Sequence, residues 1–261
     1  MFPVLDPYAP TLTIDQCIVS CKMNSLKVNL QNVRSRLESA CLKAGRKPSE
    51  VTVLAVSKQH PAVRISELYE LGQREFGENY VQEALSKQAA LAGLNIVWHF
   101  IGPLQSNKTR EVAQNFQWVQ SADRNKILKR LSDQRPEALP ELNICIQVNI
   151  DREEQKSGVL PEKLAELAQY ACELKNLRLR GLMAIPQPAT PDHSPSASYR
   201  QMHELFQGLI TSGMELDTLS MGMSADLEQA IIHGSTMIRI GTDLLGNRPV
   251  KSREIVEKEN I

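Results

Sequence analysis

Apolar and polar positions along the chain follow two alternating rhythms. Short runs of apolar and β-branched residues recur: VTVLAV from 51, REFGE from 74, IVWHFI from 96, QWVQSA from 117, NICIQVNI from 143, LRLRGLMAI from 177, LDTLSMG from 216 and TMIRIG from 236. Between them lie segments of helical period: RISELYELG, YVQEALSKQAALAG, NKTREVAQN, RNKILKRLSD, PEKLAELAQYACEL, SYRQMHELFQGLIT and ADLEQAIIHG. The short runs are apolar on both faces, as parallel strands covered by helices are. Strands alternating with helices predict parallel βαβ units. Eight such units predict a single (β/α)8 barrel of the TIM type, a fold of about 250 residues. An open, doubly wound sheet uses the same alternation. No G-x-G-x-x-G follows the first run, which argues against a dinucleotide crevice.

Ahead of the first strand, NSLKVNLQNVRSRLESACLKAG sets Leu26, Val28, Leu30, Val33, Leu37 and Leu42 close to one helical stripe. It predicts an additional helix from Asn24, with Gly45 as its stop. Residues 1–22 contain prolines and show no helical period. They are expected to form a flexible N-terminal tail before a single barrel domain over 23–261. The segment AIPQPATPDHSPSAS, 184–198, reads as a mobile loop.

Charge and composition narrow the partners. The 261 residues hold 30 Lys and Arg against 30 Asp and Glu, so no net field recruits nucleic acid or an anionic membrane. No apolar run approaches the roughly 20 residues that span a bilayer. The N-terminus lacks the basic start and apolar core of a signal peptide, so a cytoplasmic protein is expected. Cys17, Cys21, Cys41, Cys145 and Cys172 are irregularly spaced and read as reduced thiols rather than metal ligands or disulfides.

In a (β/α)8 barrel the chemistry gathers at the C-terminal ends of the strands. The first strand ends at Ser57 and Lys58. The second leads to Glu78, Asn79 and Tyr80, the seventh to SMGMS, and the eighth to Arg239, Ile240, Gly241 and Thr242. Loops after strands seven and eight often bind phosphate in such barrels. Gly222 and Ser224 precede one helix, and Gly241 and Thr242 precede another turn, so free N–H groups and a hydroxyl face an anion there. Plain N-capping by Ser224 explains the first of these equally well, and Asp226 and Glu228 disfavour a nearby phosphate. A lysine amine in a confined, partly desolvated site becomes a nucleophile that condenses with a carbonyl as a Schiff base. Lys58 facing a phosphate site across the mouth therefore suits an aldehyde that carries a phosphate, which describes pyridoxal 5'-phosphate. Alternation turns Arg239 to the same side as Gly241, where a permanent cation donates to an unprotonated pyridine nitrogen. The bland readings are a solvated strand-end lysine and an arginine salt bridge within the barrel. His99 reads as a satisfied core histidine, His233 as a helix C-terminal residue and Tyr80 as packing.

These segments have a familiar company. LAVSKQHP, FGENYVQEA, WHFIGPLQSNK, SMGMSADLEQAI and RIGTDLLG, in that order over Asn24 to Gly246, resemble the pyridoxal-phosphate homeostasis protein family. The resemblance implies a barrel like the N-terminal domain of alanine racemase. It implies pyridoxal phosphate bound covalently to Lys58, the phosphate held by Ser224 and the Gly241–Thr242 backbone, Arg239 facing the pyridine nitrogen, and Asn79 and Met221 lining the pocket. It further implies a monomer that buffers or supplies the cofactor, with pyridoxal-phosphate-dependent apoenzymes as recipients.

A racemase of the same barrel type is the alternative. Racemisation removes a proton from one face and returns one to the other, so two bases must flank the reacting carbon. The residues after strand eight, DLLGNRPVKSREIVEKENI, do not read as a further domain that could supply the second base. A carrier without turnover is the expectation, with no catalytic residues and no metal.

Overall fold

The structure is a computed structural model that describes residues 14–188, 190 and 194–248, with side chains from Ser25 onward. Eight parallel strands close on themselves in chain order: β1 (Thr52–Val56), β2 (Glu75–Glu78), β3 (Val97–Phe100), β4 (Trp118–Ala122), β5 (Leu142–Val148), β6 (Leu177–Ala184), β7 (Thr218–Ser220) and β8 (Met237–Ile240). Closure is made by β8 beside β1, with Leu54 opposite Arg239 and Ala55 opposite Ile240. A closed barrel leaves no sheet edge exposed, and it excludes the open, doubly wound alternative.

Seven helices connect the strands: α2 (Ala62–Glu70), α3 (Val81–Ala90), α4 (Thr109–Asn115), α5 (Asn125–Gln134), α6 (Leu164–Cys172), α7 (Ser196–Thr211) and α8 (Leu227–Ile232). Each expected strand and helix is present. Ile65 and Leu68 of α2, Leu128 and Leu131 of α5, and Leu164, Leu167 and Ala168 of α6 are buried against the barrel at spacings of three or four residues. A short α9 (Thr242–Leu245) follows β8.

Before the barrel comes α1 (Ile14–Lys43), which begins ten residues earlier than the apolar pattern indicates. It therefore occupies part of the segment expected to be a tail, and residues 1–13 lie outside the described residues. Its buried stripe is Leu26, Leu30, Val33, Leu37, Ala40 and Cys41. Val28 and Leu42 are exposed instead. At 100° per residue, Val28 lies roughly 200° around the helix from Leu26 and Leu42 roughly 160°, so neither can join the stripe. The helix stops where Gly45 takes φ 66°, and Arg46 N–H then donates to Cys41 O at 2.9 Å.

Cys41 and Cys145 are buried and Cys172 is exposed, all three as free thiols. No helix among the described residues is long and apolar enough to cross a membrane. The 184–198 loop falls partly outside the described residues.

Candidate functional site

Lys58 sits just beyond the C-terminal end of β1, half-buried. Its amine has no hydrogen-bond or ion-pair partner among the described residues. Burial, with help from the positive charges of Arg248 and Arg239, holds its pKa below the usual lysine value, against the opposing pull of Glu78 and Glu83. A lysine kept for solubility would be extended into water. This one is partly desolvated and unpaired among the described residues.

The residues on either side of it are fixed. Ser57 is fully buried, and its hydroxyl donates to Glu78 Oε1 at 2.6 Å. Lys87, from α3, donates to Ser57 O at 2.7 Å, to Glu78 Oε1 at 2.6 Å and to Glu83 Oε1 at 2.6 Å. Glu83 also accepts the backbone N–H of Gln59. Gln59 takes φ 64°, a left-handed conformation costly for a residue with a Cβ, and the bond from its N–H helps to hold it. Three charged side chains from β2 and α3 thus grip the loop before and after Lys58. Burial raises the Glu78 carboxyl above its ordinary pKa in spite of Lys87 and Ser57.

Asn79 follows Glu78, and its side-chain Oδ1 is a buried acceptor with no partner among the described residues. Its backbone is pressed against Gly102 beyond β3, where a Cβ would stand 2.2 Å from Asn79 O. Only glycine allows that approach. Tyr80 is exposed rather than packed.

Arg239 is almost fully buried on β8. Nη1 donates to Ser220 Oγ at 2.8 Å and Nη2 to Ala184 O at 2.8 Å. No carboxylate pairs with it among the described residues, so the salt-bridge reading does not hold. Burial lowers its pKa to about 10, which leaves it a cation at neutral pH. Two carbonyl or hydroxyl acceptors use two of its five N–H groups.

Beyond β7, Met221 is buried and Gly222 has φ 93°, with its carbonyl accepting Arg239 N–H at 3.0 Å. Ser224 does not cap α8; Asp226 holds that position. The Asp226 carboxylate accepts Met223 N–H at 2.6 Å and the Tyr199 hydroxyl at 2.7 Å. Ser224 Oγ instead accepts Asp243 N–H at 3.4 Å, which ties the loop after β7 to the loop after β8. Gly241 lies beside β1, with space for a Cβ 3.6 Å from Val56 O, and Thr242 is exposed next to it. Arg36 of α1 fastens both loops from outside. It donates to Ser224 O at 2.8 Å, Glu228 Oε1 at 2.6 Å and Asp243 Oδ2 at 2.5 Å. Asn29 donates to Leu244 O at 3.1 Å.

Lys58, Asn79, Met221, Ser224, Arg239, Gly241 and Thr242 therefore lie at or just beyond the C-terminal ends of β1, β2, β7 and β8, which are neighbours around the barrel. Lys87, Glu83 and Arg36 escaped the sequence reading. Each looks like an ordinary surface charge on an amphipathic helix, and only the fold shows what it holds. The acids Glu228 and Asp243 engage Arg36, and Asp226 engages two donors, so their charge is largely answered before any anion arrives.

A barrel of this kind with a half-buried lysine at one strand end and glycine-containing loops opposite has known counterparts. Residues 28–249 match the family model described as alanine racemase, N-terminal domain. A Pseudomonas aeruginosa protein named pyridoxal phosphate homeostasis protein is 53% identical over 226 residues, covering 87% of this chain and 97% of that one. The chain belongs to the pyridoxal phosphate homeostasis protein family, within the alanine racemase N-terminal domain family. The structure of PipY from Synechococcus elongatus with pyridoxal phosphate bound is 37% identical, with TM-score 0.71, covering 82% of this chain and 100% of that one. Alanine racemase of Clostridium difficile shares the fold at 15% identity and TM-score 0.66; the likeness covers 87% of this chain and 58% of the racemase.

Proposed function

We propose that this chain binds pyridoxal 5'-phosphate at the C-terminal mouth of its barrel, holds it covalently on Lys58, and buffers or supplies it inside the cell. The observation that carries the reading is Lys58 itself: half-buried, without a partner among the described residues, its charge disfavoured by burial, and mounted on a loop gripped on both sides. The bound cofactor supplies an aldehyde that condenses with primary amines. Lys58 offers the amine and is pre-desolvated for that reaction. Ser224 Oγ and the backbone at Gly241 and Thr242 are the groups to hold a phosphate. Arg239 has N–H groups to spare for a ring nitrogen, and its charge keeps that nitrogen unprotonated. Asn79 Oδ1 is a buried acceptor awaiting a donor, and Met221 supplies an apolar wall. These features fit the group.

The family name carried by the Pseudomonas aeruginosa relative favours a carrier over an enzyme. The buried tyrosine of α7 favours it too. Tyr199 donates its hydroxyl to Asp226, and burial raises its pKa, so it stays protonated and does not serve as a base. The carrier is read as a monomer of the cytoplasm, with pyridoxal-phosphate-dependent apoenzymes as recipients.

Titrating pyridoxal phosphate into the native protein and the Lys58→Ala variant tests this. The native protein should gain a visible absorption band, and an apoenzyme added afterwards should gain activity as the band fades. Lys58→Ala should fold normally and gain no band. A native protein that gains none contradicts the reading; rapid racemisation of an added amino acid by the loaded protein would favour the enzyme.

A further inference from the structure

Behind Arg239 the barrel interior carries a line of polar side chains that the proposed function leaves unused. Arg239 Nη1 donates to Ser220 Oγ at 2.8 Å. Ser220 Oγ meets Gln120 Oε1 at 2.7 Å, Gln120 Nε2 meets His99 Nδ1 at 2.9 Å, and His99 Nε2 meets Glu75 Oε2 at 2.5 Å. Arg239, Ser220, Gln120 and His99 are all buried, while the side chain of Glu75 is 30% exposed. Glu75 is the first residue of β2, at the opposite end of the barrel from the mouth. A cavity of about 500 Å³ opens there, lined in part by Glu75, Trp118 and Arg180.

The chemistry of the two ends orders every bond between them. An arginine only donates, so Ser220 accepts and its own proton passes on to the Gln120 carbonyl. The Gln120 amide nitrogen then donates, both to His99 Nδ1 and to Met237 Sδ at 3.1 Å. His99 Nδ1 must be the acceptor, so its proton sits on Nε2 and is donated to the Glu75 carboxylate. Burial disfavours the charged imidazole, which agrees with a neutral ring. Stacking on Trp118, with ring centroids 5.1 Å apart, fixes its plane.

We infer that Ser220, Gln120, His99 and Glu75 form a directed hydrogen-bond relay that positions the Arg239 guanidinium for the ring nitrogen of the cofactor. The four are positioning residues, and the inference rests on the reading of Arg239 given above. The relay takes up one Nη1 donor and Ala184 O takes one from Nη2, which leaves three N–H groups for the cofactor. It also gives the buried cation a remote carboxylate reached through four hydrogen bonds instead of a local partner that would compete with the cofactor.

Two measurements test it. Imidazole 15N shifts of the native protein without added cofactor report the His99 tautomer. The relay requires the neutral Nε2–H form, with Glu75→Gln keeping that tautomer because an amide oxygen still accepts. A cationic ring or the Nδ1–H tautomer would overturn the relay. The second is pyridoxal phosphate affinity and the position of its visible band in Ser220→Ala, Ser220→Thr and Gln120→Leu. Ser220→Ala and Gln120→Leu should weaken binding about five- to tenfold and move the band, while Ser220→Thr, which keeps the hydroxyl, should restore both. Folded variants with native affinity and an unmoved band would show that Arg239 needs no relay. A native chain that binds no pyridoxal phosphate would instead sink the reading of the site and the purpose assigned to the relay, while the His99 tautomer would still report whether the relay exists.

Discussion

The two sides of the mouth are held in different ways. On the β1 side, the loop bearing Lys58 is gripped by Glu78, Glu83 and Lys87; the Glu78 and Lys87 side chains are 0% and 7% exposed. On the β7–β8 side, the loops with Ser224, Gly241 and Thr242 are fastened by Arg36, whose side chain is 34% exposed, as are Glu228 and Asp243 at 38% and 36%. A buried clamp is rigid and costly to break, because removing one partner strands a charge away from water. A half-exposed clamp is weaker, since water screens it and takes over its bonds. The contrast suits the two tasks. A covalent anchor needs one fixed geometry, whereas phosphate-binding loops must admit and release a ligand.

Breaking the buried clamp should have the largest effect. Lys87→Met leaves Glu78 without its cation and should destabilise the fold by about 3–5 kcal/mol, read from urea unfolding. Pairing it with Glu78→Gln should recover much of that loss. If the single variant costs less than the double, the two residues do not form the clamp described.

Arg36→Ala should cost about 1 kcal/mol and weaken pyridoxal phosphate binding more than it weakens the fold. Salt sharpens the comparison: about 0.5 M NaCl should erode the contribution of Arg36, because screening reaches exposed pairs first, and leave that of Lys87 nearly intact. Equal salt sensitivity of the two would remove the distinction.

The smallest effect is one of sign with pH. The Glu228 carboxyl is held below its ordinary pKa, chiefly by its hydrogen bonds with Arg36. Its contribution is present above the unfolded value and is lost as pH falls through the folded one, so Arg36 stabilises less in acid. Glu78 is shifted upward by burial. The folded state therefore takes up that proton first, and stability from this group rises as pH falls through its folded pKa toward the unfolded value. Comparing Glu78→Gln and Glu228→Gln with the native protein by unfolding from pH 7 to pH 4 should show opposite slopes. The amine of Lys58, lowered by burial, should react with an aldehyde reagent at a pH where exposed lysines are still protonated.

Much of the architecture was legible in the sequence because parallel strands and their cover helices leave two clean periods. VTVLAV and NICIQVNI could be little else once helical segments flanked them. The start of α1 was not: Ile14, Cys17, Ile18 and Cys21 stand at helical spacing, but the stretch is short and follows Pro3, Pro7 and Pro10, which give the whole N-terminus the look of a tail. Val28 and Leu42 are apolar by identity but lie off the buried stripe by angle, which identity alone does not show. At the site, Lys58 and Arg239 could be singled out by their places at strand ends. Their supports could not. In FGENYVQEALSK the charges of Glu78, Glu83 and Lys87 look solvated until the turn into α3 brings them onto Ser57 and Gln59. His99 is a satisfied core histidine, as its apolar setting suggests, with both ring nitrogens bonded, but its partners Glu75 and Gln120 lie on the neighbouring strands β2 and β4 and share no local pattern with it.

The most direct test is to load the native protein with pyridoxal phosphate, reduce it with borohydride and map the labelled peptide by mass. The account predicts one label, on Lys58, with no stable label in Lys58→Ala. A label carried mainly by another lysine, or none at all, would contradict the claim that the gripped loop after β1 is where this chain holds its cofactor.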